Sequence, residues 1–359
     1  MEGDLTASDA VWSDRDTTPG AIEAALRELL RERHAESSAY VPARVLNLVV
    51  VVDAEWSGEV ANRLAQVGRY HPSRTIVCAV ERGRTTIDAV ASLASDADGS
   101  EGDGGMALVR ELVVVRCGEH HLSRLDTIVD PLVVTDLATV LWAPHGHDEA
   151  VDALLRLAQV VLVDSVDEDE ARDALERAGR LAEEAYVVDL AWLRSTPWRE
   201  RIAATFDPVR LREDLRLISC VTVRHHPAST ASALLMVGWL ASRLGWRPSR
   251  LTPRDGVLAG KASGRRQDVT IRLEPEPDQS VRGLAGLQLE TASGRWLRLD
   301  RGSGGLHALY RHTRGTEREW TVLGASRGEA GILGEGIRQA LLRDPTYRPA
   351  LERAREMVP

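Results

Sequence analysis

The chain has few of the residues that most directly mark a catalytic or metal-binding protein. Its three cysteines, Cys78, Cys117 and Cys220, lie far apart and form neither a CxxC pair nor a zinc-type spacing. Each lies in or beside an apolar run, so we expect buried free thiols. Lysine occurs once, at Lys261, which excludes a Schiff-base or phosphate-loop lysine at any other position.

Long apolar segments and an excess of basic charge are also missing. No run of 18 apolar residues occurs, and the N-terminus has no basic and apolar leader. The formal net charge of −9 argues against binding to nucleic acid or to an anionic membrane. We therefore expect a reduced, cytoplasmic protein with neither a nucleic-acid nor a membrane partner.

Motifs for catalysis or cofactor binding are absent as well. The segment GVLAGKAS (256–263) has three residues between its glycines where a phosphate loop needs four, and strand-like sequence follows it. No GxSxG elbow occurs, and Ser165 is interpreted as a helix N-cap rather than a nucleophile. His145 and His147, with Asp148 nearby, are interpreted as a solvated loop. We expect no metal, no cofactor and no enzyme activity.

The first half of the chain alternates buried strands with helices. Near-continuous apolar runs are typical of strands buried on both faces of a parallel sheet, and they occur at 43–53, 73–81, 108–117, 137–144 and 160–165. Helical periodicity separates several of them. This pattern predicts a layered, mostly parallel α/β domain over residues 20–190, preceded by a flexible N-terminal arm over 1–19.

The second half has a different pattern. Residues 228–244 form an apolar helical segment that we expect at the centre of a second core. Short alternating runs separated by turn residues follow from about 250 to 323 and predict an antiparallel sheet. A closing helix is predicted over 326–343. Together they predict an α+β domain over 191–359.

Two clusters are candidate binding sites. The stretch from Val187 to Asp207 contains Trp192, Pro197, Trp198 and Arg199, with Thr196 as the expected N-cap of a helix. It is either a buried domain junction or an aromatic and arginine contact surface.

The second cluster, His71, Ser73 and Arg74, joins a helix to a strand, where a sugar phosphate could bind at the sheet's edge. The alternative for this cluster is a plain turn. The many arginines of the antiparallel region are nearly balanced by acids, which favours a solvated mixed-charge face.

Several blocks resemble the glucose-6-phosphate dehydrogenase assembly protein family, OpcA. The blocks are HPSRTIV (71–77), DPLVVTDLATVLWAP (130–144), LVDS (162–165), LAWLRSTPWRERIAATFD (190–207) and LLMVGWLASRLGW (234–246). The resemblance spans roughly residues 40–250 and weakens in the alternating sheet.

The resemblance implies a non-catalytic assembly or activating factor that binds glucose-6-phosphate dehydrogenase and supports the oxidative pentose phosphate pathway. What the family shares in the stretch from Val187 to Asp207 corresponds here to Trp192, Pro197, Trp198 and Arg199, without an assigned role. We predict that these residues bind the partner, with Trp192 buried and Trp198 with Arg199 presented. Some members of the family are linked to redox control, for which the isolated cysteines offer no close pair. The alternative function is a sugar-phosphate-binding enzyme or sensor that acts through the α/β domain.

Overall fold

The computed structural model describes residues 10–36, 40–41, 44–68, 72–95, 107–312, 315–323 and 329–359. The chain divides into two compact units: unit 1 comprises Met1–Val163 and Glu184–Val188, and unit 2 comprises Asp164–Glu183 and Asp189–Pro359. We had expected the boundary near residue 190, with 164–183 in the first domain. The helix in that segment packs on unit 2, where Gly179 lies so close to Arg355 that a Cβ atom would meet its guanidinium at 2.7 Å.

Unit 1 is an α/β unit built on one nine-stranded sheet. Its elements are β1 (Ala10–Asp14), α1 (Pro19–Glu36), β2 (Tyr40–Val41), β3 (Leu46–Asp53), α2 (Ser57–Gly68), β4 (Ser73–Val80), β5 (Asp88–Ser95), β6 (Ala107–Cys117), α3 (Asp126–Val129), β7 (Thr139–Trp142), α4 (Asp148–Leu154), β8 (Val160–Val163) and β9 (Tyr186–Asp189). The strand order is β1-β5-β6-β4-β3-β7-β8-β9, and β2 also pairs with β6.

The centre of this sheet is parallel, as the apolar runs predict. β6, β4, β3, β7 and β8 pair in parallel, and the residues of β3 from Leu46 to Val52 are all buried. Helices on both faces explain why such strands are apolar at every position rather than at alternate ones. The chain runs from β3 outward to β4 and β6, and then returns to the other side of β3 with β7 and β8.

One edge of this sheet differs from the prediction. Residues 1–19 were expected to form a flexible arm, but Ala10–Asp14 is a strand that pairs antiparallel with β5, and β5 pairs antiparallel with β6. Neither strand has a strong signal in its residues, because AVWSD is short and DAVASLAS is rich in alanine and serine. The rest of the expected arm before Ala10 lies outside the described residues.

Unit 2 carries the second sheet and the remaining helices. Its elements are α5 (Ala171–Glu184), α6 (Leu190–Arg194), α7 (Thr196–Phe206), α8 (Val209–Leu215), β10 (Ile218–His225), α9 (Thr230–Leu244), β11 (Arg247–Pro248), β12 (Thr252–Arg254), β13 (Val257–Ser263), β14 (Asp268–Pro275), β15 (Leu284–Thr291), β16 (Trp296–Gly302), β17 (Gly305–Arg311), β18 (Glu317–Leu323), α10 (Glu329–Leu342) and α11 (Tyr347–Met357).

The predicted antiparallel sheet is confirmed, with one parallel pair at its centre. The order is β11-β13-β14-β10-β15-β16-β17-β18, and β12 pairs with β13. β10 lies between β14, to which it is parallel, and β15, to which it is antiparallel. Burial alternates along β14, where Val269, Ile271 and Leu273 are buried and the residues between them are exposed. One face of this sheet therefore packs into the core of unit 2 and the other faces solvent.

The apolar helix predicted at the centre of the second core is α9, which is buried along most of its length. It packs closely on α11, a helix that we did not predict. A Cβ atom at Gly238 of α9 would lie 2.2 Å from the carbonyl oxygen of Ala350, so only glycine permits this approach. Gly245, with a φ of 70°, ends α9 as its C-cap. None of the described helices is long and apolar enough to cross a membrane.

Candidate functional site

The stretch from Val187 to Asp207 forms the end of β9 and two short helices. α7 begins one residue earlier than predicted: Ser195 is its N-cap, Thr196 its first residue and Pro197 its second. Proline is still accommodated, because the first turn of a helix has N–H groups without an intrahelical partner. The Ser195 hydroxyl donates instead to the carbonyl oxygen of Trp192, 2.7 Å away in the preceding helix.

The expectation that the two tryptophans differ in burial is wrong. Trp192 and Trp198 are each 2% exposed, and Arg199 is 7% exposed. Pro197 alone among the four expected contact residues is partly exposed. These three side chains therefore lie in the core of unit 2 and not on its surface.

Arg199 organises this junction. Its guanidinium lies 3.5 Å from the centroid of the Trp192 ring, and its Nη1 donates to the Trp192 carbonyl oxygen at 2.8 Å and to the Ser195 hydroxyl. Its Nη2 donates to the Thr196 hydroxyl at 3.0 Å. Asp344, which accepts from the Trp192 indole at 2.8 Å, lies 4.0 Å from the guanidinium. Burial lowers the pKa of Arg199 to about 10, so the side chain remains a cation at neutral pH.

A second buried polar cluster centres on the carboxylate of Asp189. It accepts from the Ser165 hydroxyl at 2.5 Å, the Tyr347 hydroxyl at 3.1 Å, and the backbone N–H groups of Ser165 and Ala191. Burial, with the nearby charge of Asp164, raises the pKa of Asp189 to about 6. Ser165 is therefore not the N-cap that we expected, since α5 begins only at Ala171. The bonds to Ser165 and Tyr347 join segments that are distant along the chain.

The expected ligand cluster of unit 1 lies partly outside the described residues, because His71 is not among them. Ser73 is the first residue of β4, and its hydroxyl is 3.1 Å from that of Thr75. Arg74 is buried, donates to Glu111 at 2.6 Å and donates to the Leu132 carbonyl oxygen at 3.0 Å. Both residues lie at the amino end of the strand, whereas ligands of open α/β sheets bind outside the carboxyl ends. The guanidinium of Arg74 is thus already bonded to groups of the chain itself.

The carboxyl ends of β3 and β7 meet where the strand order reverses. Asp53 ends β3, and after β7 the Nε2 atom of His147 lies 3.1 Å from its carboxylate. The ring of His145 lies near Trp56, with centroids 6.0 Å apart. His145 and His147 therefore lie near Asp53, an acid that we did not associate with them from the sequence. Within the described part of the chain, no group of three or more His, Cys, Asp or Glu could hold a metal ion.

The strand registers of the second sheet bring a continuous set of accessible side chains together on its solvent-facing side. We call it the outer sheet face. Its residues on the central and later strands are Cys220, Thr222, Arg224, Arg272, Glu274, Gln288, Glu290, Trp296, Arg298, Asp300, His307, Leu309, Arg311, Glu317 and Glu319. All of them are partly or fully exposed.

Ion pairs cover much of the outer sheet face. Arg298 is 2.7 Å from Asp300, Arg272 is 3.0 Å from Glu274, and Arg311 donates to Glu317. The Arg311 guanidinium also lies 5.0 Å from the centroid of the Trp296 ring. The predicted mixed-charge face is therefore present, and it includes an accessible tryptophan and arginine pair that our interpretation of the sequence did not single out.

The cysteines are free thiols in different environments. Cys78 and Cys117 are buried, and burial raises the pKa of Cys117 to about 11 and that of Cys78 well above its ordinary value. Cys220 is half-buried on the outer sheet face, and its pKa is also raised by burial. All three thiols are thus protonated at neutral pH, which makes them poor nucleophiles.

Two family models match consecutive parts of this chain. The model described as the glucose-6-phosphate dehydrogenase subunit N-terminal domain matches residues 64–180, and the one described as the C-terminal domain of that subunit matches residues 185–351. Both are OpcA models, and together they match well over half of the chain. The chain belongs to the OpcA family.

Curated OpcA proteins of cyanobacteria are similar to parts of the chain. The OxPP cycle protein OpcA of Synechococcus elongatus is 29% identical over 183 residues, which cover 49% of this chain and 39% of that protein. The protein of the same name from Nostoc punctiforme is 35% identical over 131 residues, covering 35% and 28%. The match to that of Synechocystis sp. covers 41% of this chain and 32% of the relative. The chain thus spans about a third of the length of these relatives.

Solved structures with a similar arrangement are dissimilar in sequence. A super-repressor mutant of Gal80p from Saccharomyces cerevisiae has a TM-score of 0.46 and 10% identity, covering 84% of this OpcA chain and 87% of its own. The WlbA dehydrogenase from Thermus thermophilus has a TM-score of 0.45 and 13% identity, covering 88% and 96%. Likeness at this level assigns no activity to the chain.

Proposed function

We propose that this OpcA chain is a non-catalytic factor that binds glucose-6-phosphate dehydrogenase, assists its assembly or activation, and so supports the oxidative pentose phosphate pathway. The observation that carries the proposal is the consecutive match to both family models, each described as a domain of a glucose-6-phosphate dehydrogenase subunit. The names of the cyanobacterial relatives, which refer to the same cycle, agree with it.

The chemistry of the described residues supports a binding role. Asp189 and Arg199, whose pKa values are shifted chiefly by burial, are held by structural partners in the core of unit 2. The turn after β3 has the sequence AEWS where a dinucleotide-binding sheet carries its glycine fingerprint. Among the residues that the structure describes, these features support binding rather than hydride transfer.

The docking surface that we propose is the outer sheet face. Tryptophan and arginine are enriched at protein interfaces, and Trp296 with Arg311 supplies such a pair among paired charges. The occupant that we propose is glucose-6-phosphate dehydrogenase, through a surface patch of mixed charge that can exchange ion pairs with these arginines and acids. The buried cluster of Trp192, Trp198 and Arg199 would then act indirectly, by holding unit 2 in shape.

The experiment that tests this function is to mix the purified chain with its cognate dehydrogenase and to measure the mass of the complex and the dehydrogenase activity on the same samples. The proposal predicts a saturable complex together with a higher active fraction or more of the assembled oligomer. If no complex forms and the activity is the same with and without the chain, the proposal is wrong.

The second candidate, a sugar-phosphate-binding enzyme or sensor acting through unit 1, has less support. Its motivation was the cluster of His71, Ser73 and Arg74, of which Arg74 is engaged by Glu111. A thermal-shift series of the chain alone with glucose 6-phosphate, 6-phosphogluconate and NADP tests it, because a ligand that binds the folded state stabilises it. Stabilisation that is lost in Ser73→Ala would favour this candidate.

A further inference from the structure

A basic cavity lies in unit 2. It has a volume of about 620 Å³, and it is formed where α8 and α9 end beside the turn between β13 and β14. Cavities of roughly 300–1,000 Å³ are typical of small-ligand sites. Its most informative lining residues are Arg216, Arg243, Arg265, Arg266, Trp246 and Gln267.

The charge of this cavity has one sign. Its lining includes four arginines and no aspartate or glutamate, although the whole chain has a net charge of −9. Glu213, outside the lining, is 2.9 Å from Arg216 and 3.3 Å from Arg266. Across the residues that the structure describes, Arg243 and Arg265 form no ion pair. A concave wall on which arginines outnumber the neighbouring carboxylates concentrates the field and attracts anions.

Only two of these four arginines lie at helix ends, where a cation is favoured by the helix itself. Arg216 is the C-cap of α8 and Arg243 lies in the last turn of α9, positions where the helix dipole favours a cation. Arg265 and Arg266 lie on the turn between two strands, where no such dipole acts. The turn and the two helix ends thus contribute two arginines each to the lining of one cavity.

The base of the cavity is held in place by internal contacts. The side chain of Gln267 donates to the carbonyl oxygens of Leu217 at 2.6 Å and Ile218 at 2.9 Å. Trp246 is 4% exposed, and a Cβ atom at Gly264 would lie 3.4 Å from its ring. A preformed base lowers the entropy that a bound molecule would otherwise have to offset.

We propose that this cavity binds a small phosphorylated molecule that carries at least two negative charges. Guanidinium groups bind phosphate oxygens through paired, charge-assisted hydrogen bonds, and Arg243 and Arg265 have no competing carboxylate among the described residues. The size of the cavity fits a small molecule rather than a folded surface. The proposal does not depend on dehydrogenase binding, and it is tested on the chain alone.

The test is isothermal titration of the full chain, at low ionic strength, with inorganic diphosphate and with glucose 6-phosphate as probes and glucose as the uncharged control. Saturable binding of at least one phosphorylated probe, and none of glucose, is expected. In the double variant Arg243→Gln/Arg265→Gln the dissociation constant should rise by about tenfold or more, because two charge-assisted hydrogen-bonding groups are removed.

The matched control is Arg348→Gln, which removes one exposed arginine on α11 and should leave the dissociation constant unchanged. Thermal melting of both variants verifies that they fold. The proposal is overturned if neither phosphorylated probe binds, or if the double variant is folded and binds as the parent does.

Discussion

The guanidinium of Arg199 lies 3.5 Å from the centroid of the Trp192 ring, and both side chains are buried in unit 2. Stacking on the ring uses the face of the planar cation, and its edge remains free to donate to oxygens around it. The same indole donates to Asp344, which follows α10. One arginine therefore joins α6, α7 and the segment before α11, and the first prediction concerns its removal.

Replacing Arg199 with lysine is expected to lower the free energy of unfolding by about 2–4 kcal/mol. Lysine keeps the positive charge but cannot stack on Trp192 and also reach the oxygens of Trp192, Ser195 and Thr196. Urea unfolding followed by tryptophan fluorescence measures the loss. The control is Arg348→Lys, whose side chain is 64% exposed and should change stability by less than about 0.5 kcal/mol. Equal losses in the two variants would contradict the role given to Arg199.

Asp189 should make the stability of the chain fall as pH rises from about 4 to 6. Its pKa is about 6 in the folded protein, against an ordinary value of 3.8, so in this interval the folded state holds a proton that the unfolded state has released. This pKa difference corresponds to about 3 kcal/mol, all of it expressed above about pH 6. Asp189→Asn removes the titration.

The measurement for Asp189 is urea unfolding at pH 4 and at pH 7. Relative to the parent, Asp189→Asn should gain stability between the two pH values, by up to about 3 kcal/mol. Asp207→Asn is the control, because the side chain of Asp207 is 79% exposed and its replacement should not change the pH dependence. A parallel pH profile for Asp189→Asn and the parent would show that this carboxyl titrates normally.

Two glycine substitutions should change stability in opposite directions. Gly238→Ala places a Cβ atom 2.2 Å from the backbone of α11 and should destabilise the protein by about 1–3 kcal/mol. Gly58→Ala, on the exposed side of α2, meets no atom within 4 Å and should stabilise its helix by about 0.5–1 kcal/mol. Thermal unfolding of the two variants compares them directly. A stable Gly238→Ala protein would rule out the close packing of α9 on α11.

Thiol labelling should separate the three cysteines. In the folded protein an aromatic disulfide reagent at pH 8 is expected to modify Cys220 alone, and slowly, because Cys78 and Cys117 are fully buried and the pKa of Cys220 is raised as well. Three thiols should react in urea. Cys220→Ser should abolish labelling of the folded chain, and any rapid reaction of that variant would place a second thiol within reach of solvent.

The sequence predicted the fold where burial is regular along an element. β3 is apolar without interruption because both of its faces are buried, whereas β14, β16 and β17 alternate because only one face is buried. Both patterns are visible in the residues themselves. We did not predict β1 or α11. The short strand has a weak local signal. The apolar periodicity of α11 was present in the sequence and was overlooked, and only its close packing on Gly238 required a tertiary contact to be seen.

The candidate site was harder to predict, because its contacts join residues distant in the chain. Asp189 meets Tyr347 across 158 positions and Trp192 meets Asp344 across 152. Composition could suggest that Trp198 and Arg199 form a surface, since the same residue types are common at interfaces and in cores. The positions of Asp344 and Ser195, which only the structure reveals, show that these side chains belong to the core.

The outer sheet face gives the most direct test of the proposed function. Leu309→Arg places an extra cation beside Arg298 and Glu319, its register partners on the neighbouring strands. It is compared with Leu342→Arg, the same substitution at a leucine that is 59% exposed on α10. Thermal melting confirms beforehand that both variants fold.

The measurement is the dissociation constant of each variant for the cognate glucose-6-phosphate dehydrogenase, determined with the mass of the complex on the same samples. We expect Leu309→Arg to bind about tenfold more weakly or worse, because charge mismatch at an interface centre costs roughly 1.5 kcal/mol or more, and Leu342→Arg to bind as the parent does. A folded Leu309→Arg variant that forms the complex with unchanged affinity would contradict docking through this face, and the absence of any complex with the parent chain would contradict the proposed function itself.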